Sequence, residues 1–145
     1  MAEFKLELGD WAQRLARQYE LGAREVIPIM KMALYEGADI MANALRAAAK
    51  PYGLDAGVGV SKMEASADGA NVSVGFRKEG SAGYFYNRFG QKTPYDLVVN
   101  VINSGTSKGR KGNHFFDNAR DKAKPKAMAV MHDMYYEKIM KIIGE

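Results

Sequence analysis

A long series of apolar residues at helical spacing constrains the fold of this chain more than any other feature. Apolar side chains recur every three or four positions, while Lys31, Asp39 and Asn43 fall on other faces. The series consists of Ile27, Met30, Leu34, Ala38, Met41, Leu45 and Ala48. This spacing places all of them on one side of a helix, which ends near Lys50-Pro51. We predict a long helix whose methionine-containing face is buried in a core or between subunits.

Shorter elements precede this helix. Residues 4–8 alternate apolar and polar side chains, which predicts a short strand. Gly9-Asp10 then offers a cap for a first helix over residues 11–25. Pro28 follows, and it either kinks that helix or starts the long one.

Two strands are predicted after the long helix, over residues 58–63 and 71–76, with Asp68-Gly69 as the turn signal between them. Val72, Val74 and Phe76 share one face. An isolated two-stranded hairpin is unstable in water. It must therefore pack on the helices, or gain strands from residues 4–8 or from a neighbouring subunit.

The C-terminal half is predicted to be mainly helical. Residues 95–103 fit either a strand or a helix, and we favour a short helix. Asn113 is a good N-cap for a helix running to about Lys122, and Pro125 is typical of the first turn of a final helix. The apolar positions of that final helix are Met128, Met131, Tyr135, Ile139 and Ile142. The predicted fold is therefore one α+β domain over residues 1–145, with long N- and C-terminal helices on a small antiparallel sheet and long mobile loops.

Composition excludes several classes of site. The chain has 145 residues, 47% of them hydrophobic, which is enough to bury one core. It has no cysteine and only two histidines, His114 and His132, so thiolate chemistry is impossible and a His-based zinc site is not expected. No apolar run approaches the roughly 18 residues of a membrane span. We expect no cofactor, no metal, no membrane contact and no enzymatic activity.

Positive charge is concentrated in the C-terminal half. Residues 1–72 carry 8 Lys and Arg against 10 Asp and Glu, whereas residues 73–145 carry 13 against 7. A dense basic cluster comprises Lys108, Arg110, Lys111, Arg120, Lys122, Lys124 and Lys126. Such a cluster is most often a solvated face, but it also suits an acidic protein partner or nucleic acid. A basic nucleic-acid-binding protein is therefore the alternative function.

Two segments have the composition of binding loops. One is a glycine-rich basic loop over residues 105–112; its Gly105 and Gly109 are one residue too close for a P-loop, and Lys111 is followed by Gly112 instead of Ser or Thr. The other is an aromatic segment over residues 77–94, whose rings either bind a partner or cap the core. A hydrolase using Ser107, His114 and Asp117 is a weaker alternative, since nothing in the loop brings these groups together.

Several phrases in this order resemble the head-tail joining or tail-completion (neck) family of long-tailed bacteriophages. They are Val-Gly-Val-Ser-Lys-Met at residues 58–63, Val-Ser-Val-Gly-Phe at 72–76, Asn-Val-Ile-Asn-Ser-Gly-Thr-Ser at 100–107 and Asn-His-Phe-Phe-Asp-Asn-Ala at 113–119. Together with the predicted strand and long helix before them, they cover nearly the whole chain.

The resemblance implies a structural virion protein without catalytic activity. It implies a ring, expected to be a hexamer, at the neck between the head connector and the tail-terminator or tail-tube proteins, with DNA passing through the channel. Assembly would take place in the host cytoplasm. The residues expected at the assembly interface are Tyr84, Phe85, Tyr86, Phe89, Gly105, Thr106, Ser107, Lys108, Arg110, Lys111, Phe115 and Phe116.

Overall fold

A computed structural model of the chain describes residues 3–66, 69–76, 84–86, 92–105, 109 and 111–144. The chain begins with strand β1 (Glu3–Leu8) and helices α1 (Asp10–Gln18) and α2 (Ala23–Ala49), followed by two short 3-10 helices (Lys50–Tyr52 and Asp55–Gly57). Five strands come next: β2 (Val58–Val60), β3 (Glu64–Ser66), β4 (Gly69–Phe76), β5 (Tyr84–Tyr86) and β6 (Lys92–Pro94). Helices α3 (Tyr95–Ser104) and α4 (Phe115–Ile142) complete the described elements. Helices packed with a small antiparallel sheet confirm the predicted α+β class. Within the described ranges, no helix is both long enough and apolar enough to cross a membrane.

Helix α1 is shorter than predicted, because the chain leaves the helix at Gln18 and not near residue 25. Glu20 adopts a left-handed backbone conformation, with φ 57°. The Leu21 N–H then donates to the Ala16 carbonyl at 3.0 Å, and Leu21 packs against the core. This is a Schellman-type helix end, in which glycine is the usual left-handed residue. Glutamate in that position gives no sequence signal for a helix end.

Helix α2 carries the apolar series as predicted. Met30, Leu34, Ala38, Met41 and Leu45 are all at most 1% exposed, whereas Ile27 is 40% exposed and Ala48 is half-buried. Pro28 neither starts nor ends the helix, which begins earlier at Ala23 and continues to Ala49. Met30 and Met41, the methionines of this series, are therefore part of the subunit core.

The sheet is built around β4. Strand β1 pairs antiparallel with one edge of β4, and β2 and β3 pair antiparallel with the other. Val72, Val74 and Phe76 are buried, so the predicted inward face of this strand is confirmed. The predicted hairpin therefore gains its extra strand from the N-terminus of the same chain. Gly69 opens β4, and the rest of the predicted turn, Asp68, lies outside the described residues.

A bulge separates β2 from β3. Pairing is regular up to Val60↔Val74 and resumes at Glu64↔Asn71, so three residues on one side lie opposite two on the other. An extra residue of this kind bends the strand and shifts the alternation of side chains by one position. The prediction of one continuous strand over residues 58–63 is therefore wrong.

The bulge resolves a conflict in the sequence. A regular strand would place Lys62 on the buried face, two positions after Val60. In the structure Lys62 is exposed and Met63 packs against the core. The Tyr35 hydroxyl holds this geometry, since it donates to the Ser61 carbonyl at 2.9 Å and accepts from the Met63 N–H at 3.1 Å.

Helix α4 is one continuous helix, so the prediction of two helices meeting at Pro125 is wrong. An internal proline costs roughly 3 kcal/mol or more because it removes a hydrogen bond and clashes with the preceding turn. Burial of a long apolar face offsets that cost. The fully buried residues of this face are Ala127, Met131, Tyr135 and Ile139.

Helices α2 and α4 pack antiparallel over most of their length. Gly37, in the middle of α2, lies beside Ala127, and a Cβ at Gly37 would be 3.1 Å from the Ala127 carbonyl oxygen. Tyr52, just beyond the end of α2, packs against Phe115 at the start of α4, with the ring centroids 5.0 Å apart and the ring planes tilted by 45°. The small residue Gly37 on this face of α2 therefore lets the α4 backbone approach closely.

The remaining described elements are β5, β6 and α3. Strands β5 and β6 pair antiparallel. Residues 95–104 form helix α3, which confirms the choice of helix over strand, and Tyr95 and Val99 bury its inner face.

Candidate assembly surface

The two ends of the basic loop are joined to each other where α3 meets α4. Gly105 and Lys111 form a β-bridge. The N–H groups of Asn113 and His114 then donate to the carbonyls of Ile102 and Asn103, at 3.0 and 2.9 Å. We call residues 102–105 and 111–117 the loop base. Because these bonds fix both ends of the loop, the position at which it leaves the domain is set by the fold.

Asn103 holds the loop base together. It is 7% exposed, and its Oδ1 accepts hydrogen bonds from the N–H groups of Phe116 (3.0 Å) and Asp117 (3.2 Å). These N–H groups belong to the first turn of α4, where a helix has no internal acceptors. The N-cap residue of α4, His114, has a left-handed backbone with φ 54° and makes no side-chain cap bond. A residue of α3 therefore caps α4.

Asp117 joins the cap to a small charged cluster. Its Oδ2 accepts from Asn103 Nδ2 at 3.1 Å and lies 3.3 Å from His114 Nδ1, and its Oδ1 lies 3.5 Å from Arg120 Nη1. Burial alone would raise the pKa of Asp117. The hydrogen bonds from Asn103 and His114, with the positive charge of Arg120, outweigh burial and hold that pKa below its ordinary value. The carboxylate is thus ionised at neutral pH at the positive end of α4.

Two further contacts tighten the loop base. A Cβ at Gly112 would lie 2.3 Å from the Asn103 carbonyl oxygen, so only glycine fits there. Asn113 accepts the Phe115 N–H at 3.1 Å and donates through Nδ2 to the Tyr52 hydroxyl. The loop base is therefore attached to the end of α2 as well as to α3.

A groove lies beside the loop base, between the C-terminal half of α2 and the N-terminal half of α4. Its volume is about 730 Å³, within the range of binding clefts. The lining residues are mostly small and apolar: Ile40, Ala44, Ala47, Ala48, Phe115, Ala119 and Ala123, with Asn118, Lys122 and Lys126 from α4. We call this the α2/α4 groove. It is an apolar surface with two cations on the α4 side.

The lysines of α4 are divided between two faces. Lys122 and Lys126, one turn apart, line the α2/α4 groove. Lys124 lies elsewhere, with its Nζ 5.4 Å from the centre of the Phe4 ring. Neither groove lysine forms an ion pair with any residue that the structure describes. The predicted basic cluster is therefore not one continuous patch.

The predicted interface residues have different locations. Gly105 and the exposed Lys111 are at the loop base. Phe115 and Phe116 are 8% and 2% exposed, so they pack in the core and are not free surface anchors. Tyr84, Phe85 and Tyr86 form β5. The predictions for Phe89, Thr106, Ser107, Lys108 and Arg110 fall outside the described residues.

Residue types alone did not reveal the most constrained positions. Gly112 belongs to the predicted basic loop and Asn103 to the phrase at residues 100–107, but nothing in their spacing shows that Asn103 caps a helix or that Gly112 is sterically required. His114 and Asp117 do lie together, as the weaker hydrolase alternative required, whereas Ser107 is outside the described residues. Within the described ranges, no group of three or more His, Cys, Asp or Glu side chains is placed to hold a metal ion.

No known protein family, no curated protein and no solved structure matches this chain. Any assignment of function therefore rests on the residues themselves and on the geometry described above.

Proposed function

We propose that this chain is a structural protein of a tailed bacteriophage, and that it assembles into a ring at the head-tail junction. Its partners in this proposal are further copies of itself, the head connector on one side and a tail-terminator or tail-tube protein on the other. DNA passes through the ring without sequence-specific contact. The protein is made in the host cytoplasm and ends in the neck of the virion.

One observation carries the proposal. Two of the sequence phrases that resemble the neck family, residues 100–107 and 113–119, are bonded to each other at the loop base. Only residues 108–112 separate the two phrases along the chain. Here they form one feature, capped by Asn103 and closed by Gly112.

The same feature suits assembly. The bridge between Gly105 and Lys111 fixes both ends of the basic loop, so the exposed Lys111 is held at a defined position. The α2/α4 groove beside it offers a second contact surface.

Virions of the phage that encodes this chain provide the test. Mass spectrometry should detect the protein in purified particles, and gold-labelled antibody should bind at the head-tail junction. An antibody to the major capsid protein, which labels the head, is the control. Absence of the protein from purified virions would refute the proposal.

The alternative, a free nucleic-acid-binding protein, draws support from Lys122 and Lys126, which form no ion pair with the residues that the structure describes. Each phosphate contact releases counterions, so true binding to duplex DNA falls steeply as salt rises. Fluorescence anisotropy over a salt series distinguishes the two functions. Tight binding with a steep slope that the Lys122→Glu/Lys126→Glu variant abolishes would favour the alternative.

A further inference from the structure

We infer that the α2/α4 groove receives the outer face of helix α2 from a second copy of the chain, so that copies join head to tail. This inference rests on the proposed ring and specifies its subunit interface. It follows from the charge and exposure of two surfaces that remain unpartnered within the described part of the subunit.

The first surface is the groove. Its floor is formed by Ile40, Ala44 and Ala48 from α2 and by small residues of α4, which leave open apolar space beside the helix pair. Lys122 and Lys126 face this space from α4. An occupant of the groove must therefore present an apolar group together with two negative charges that lie about one helical turn apart.

The second surface is the solvent side of α2. Glu25, Met32, Glu36 and Asp39 recur at spacings of seven, four and three residues, which places them in one line along the helix. All four are exposed, and Met32 is 48% exposed. We call this line the α2 outer stripe. It is an apolar side chain flanked by carboxylates.

Like the two groove lysines, the carboxylates of the α2 outer stripe have no ion-pair partner among the described residues. Glu25, Glu36 and Asp39 form no ion pair with any other residue that the structure describes. Their separation also matches the groove, since Glu36 and Asp39 are about one turn apart, as are Lys122 and Lys126. Met32 inserted among the groove alanines would bury apolar surface that is exposed in the single subunit.

The geometry also determines the type of assembly. The stripe and the groove floor occupy successive stretches of the same rigid helix, so a subunit cannot fill its own groove with its own stripe. Docking of the stripe of one copy in the groove of the next leaves one stripe and one groove free at the ends. Such an interface is heterologous and produces a closed ring when the rotation between subunits closes.

Disulfide trapping tests this interface cleanly because the chain has no native cysteine. Met32→Cys and Ala123→Cys are prepared as separate variants, mixed at high concentration and oxidised. We expect the mixture to form a disulfide dimer far faster than either variant alone, since the contact is between different surfaces. The double variant should form a ladder that ends at the ring size.

A control cysteine is available on the same helix as Ala123. Tyr136 is 51% exposed on the C-terminal half of α4, away from the groove. Tyr136→Cys mixed with Met32→Cys should form dimers no faster than random collision. Equal trapping with Ala123→Cys and Tyr136→Cys, or no trapping with either, would overturn the inference.

Charge reversal provides an independent readout. Lys122→Glu/Lys126→Glu in the Ala123→Cys variant should reduce the trapping rate roughly tenfold, because two attractive pairs become repulsive. Adding Glu36→Lys/Asp39→Lys to the Met32→Cys partner should restore the rate. If charge reversal lowers the trapping rate and the compensating variant does not restore it, the pairing of these two surfaces is refuted. If the disulfide forms as expected but the protein is absent from the neck of the virion, only the proposed function is refuted.

Discussion

Replacing Asn103 by alanine tests whether the loop base depends on a helix cap supplied from a neighbouring helix. The substitution removes the acceptor for the Phe116 and Asp117 N–H groups and the donor to the Asp117 carboxylate. Alanine is a good helix residue, so helix α3 itself should not suffer. Any loss of stability therefore comes from α4 and from the loop base.

The size of the loss follows from those bonds. Removal of a helix cap typically costs about 1 kcal/mol, and a buried N–H left without a partner costs about 1–3 kcal/mol. Phe116 is 2% exposed, so water has little access to its N–H group. We expect the free energy of unfolding to fall by about 2–3 kcal/mol, which is a large share of the roughly 5–15 kcal/mol of an ordinary domain.

Urea unfolding followed by circular dichroism measures this change, and amide exchange locates it. Exchange at Phe116, Asp117 and His114 should accelerate, while exchange in the middle of α2 should change only as much as global stability does. The matched control is Asn118→Ala. Asn118 is exposed on α4 and its side chain forms no hydrogen bond with the described residues.

A second substitution separates the acceptor from the donor. Asn103→Asp keeps an oxygen for the two N–H groups but sets a carboxylate against Asp117 Oδ2, so it should be more destabilising at pH 7 than at pH 3. A wild-type unfolding midpoint for Asn103→Ala would refute the reasoning, as would equal losses for Asn103→Ala and Asn118→Ala.

Three further predictions concern single groups. Gly112→Ala should cost about 1–3 kcal/mol and speed exchange at the His114 N–H, because the new Cβ clashes with Asn103; unchanged stability would contradict the steric requirement. Burial raises the pKa of Tyr135 to about 12. The stability that its neutral hydroxyl contributes to the fold is therefore complete below pH 10 and is lost as the pH rises towards 12. Tyr135→Phe should lose about 1 kcal/mol at neutral pH, because its bond to the Ala12 carbonyl disappears, and should lack that alkaline loss in urea titrations. The lowered pKa of Asp117 means that its stabilisation is present above pH 3.8 and is lost as the pH falls through the lowered value. The stability difference between wild type and Asp117→Asn should therefore shrink in acid, and a constant difference would refute this role.

The sequence predicted correctly the elements whose periodic apolar side chains are also the side chains that pack in the core. The apolar series of α2, the alternation of Val72, Val74 and Phe76, and the N-terminal strand all depend on side chains that face one common core. Residues 95–103 form a helix, as favoured, and its Tyr95 and Val99, one turn apart, are both buried.

The errors occurred where tertiary contacts override local signals. Pro125 predicts a helix start, but burial of the α4 face carries the helix through it. Glu20 gives no sign of a helix end. The strand bulge depends on Tyr35, which lies in a different element from the residues it holds.

The candidate site shows the same division. Glycine and lysine content identified the basic loop, whereas the cap by Asn103 required knowledge of which helices meet. Phe115 and Phe116 were expected at an interface because aromatic pairs are common there, yet the fold uses them in its core.

The pairing of β1 with β4 has a consequence for biosynthesis. Glu3 pairs with Gly75, so β1 leaves the ribosome some seventy residues before its partner β4. The apolar face of α2 must wait longer still, until α4 has been translated to cover it. Contacts between residues so far apart in sequence form slowly, and surfaces exposed meanwhile are prone to aggregate. Ribosome-bound fragments that end before residue 115 should therefore recruit chaperones, whereas fragments that include all of α4 should recruit fewer.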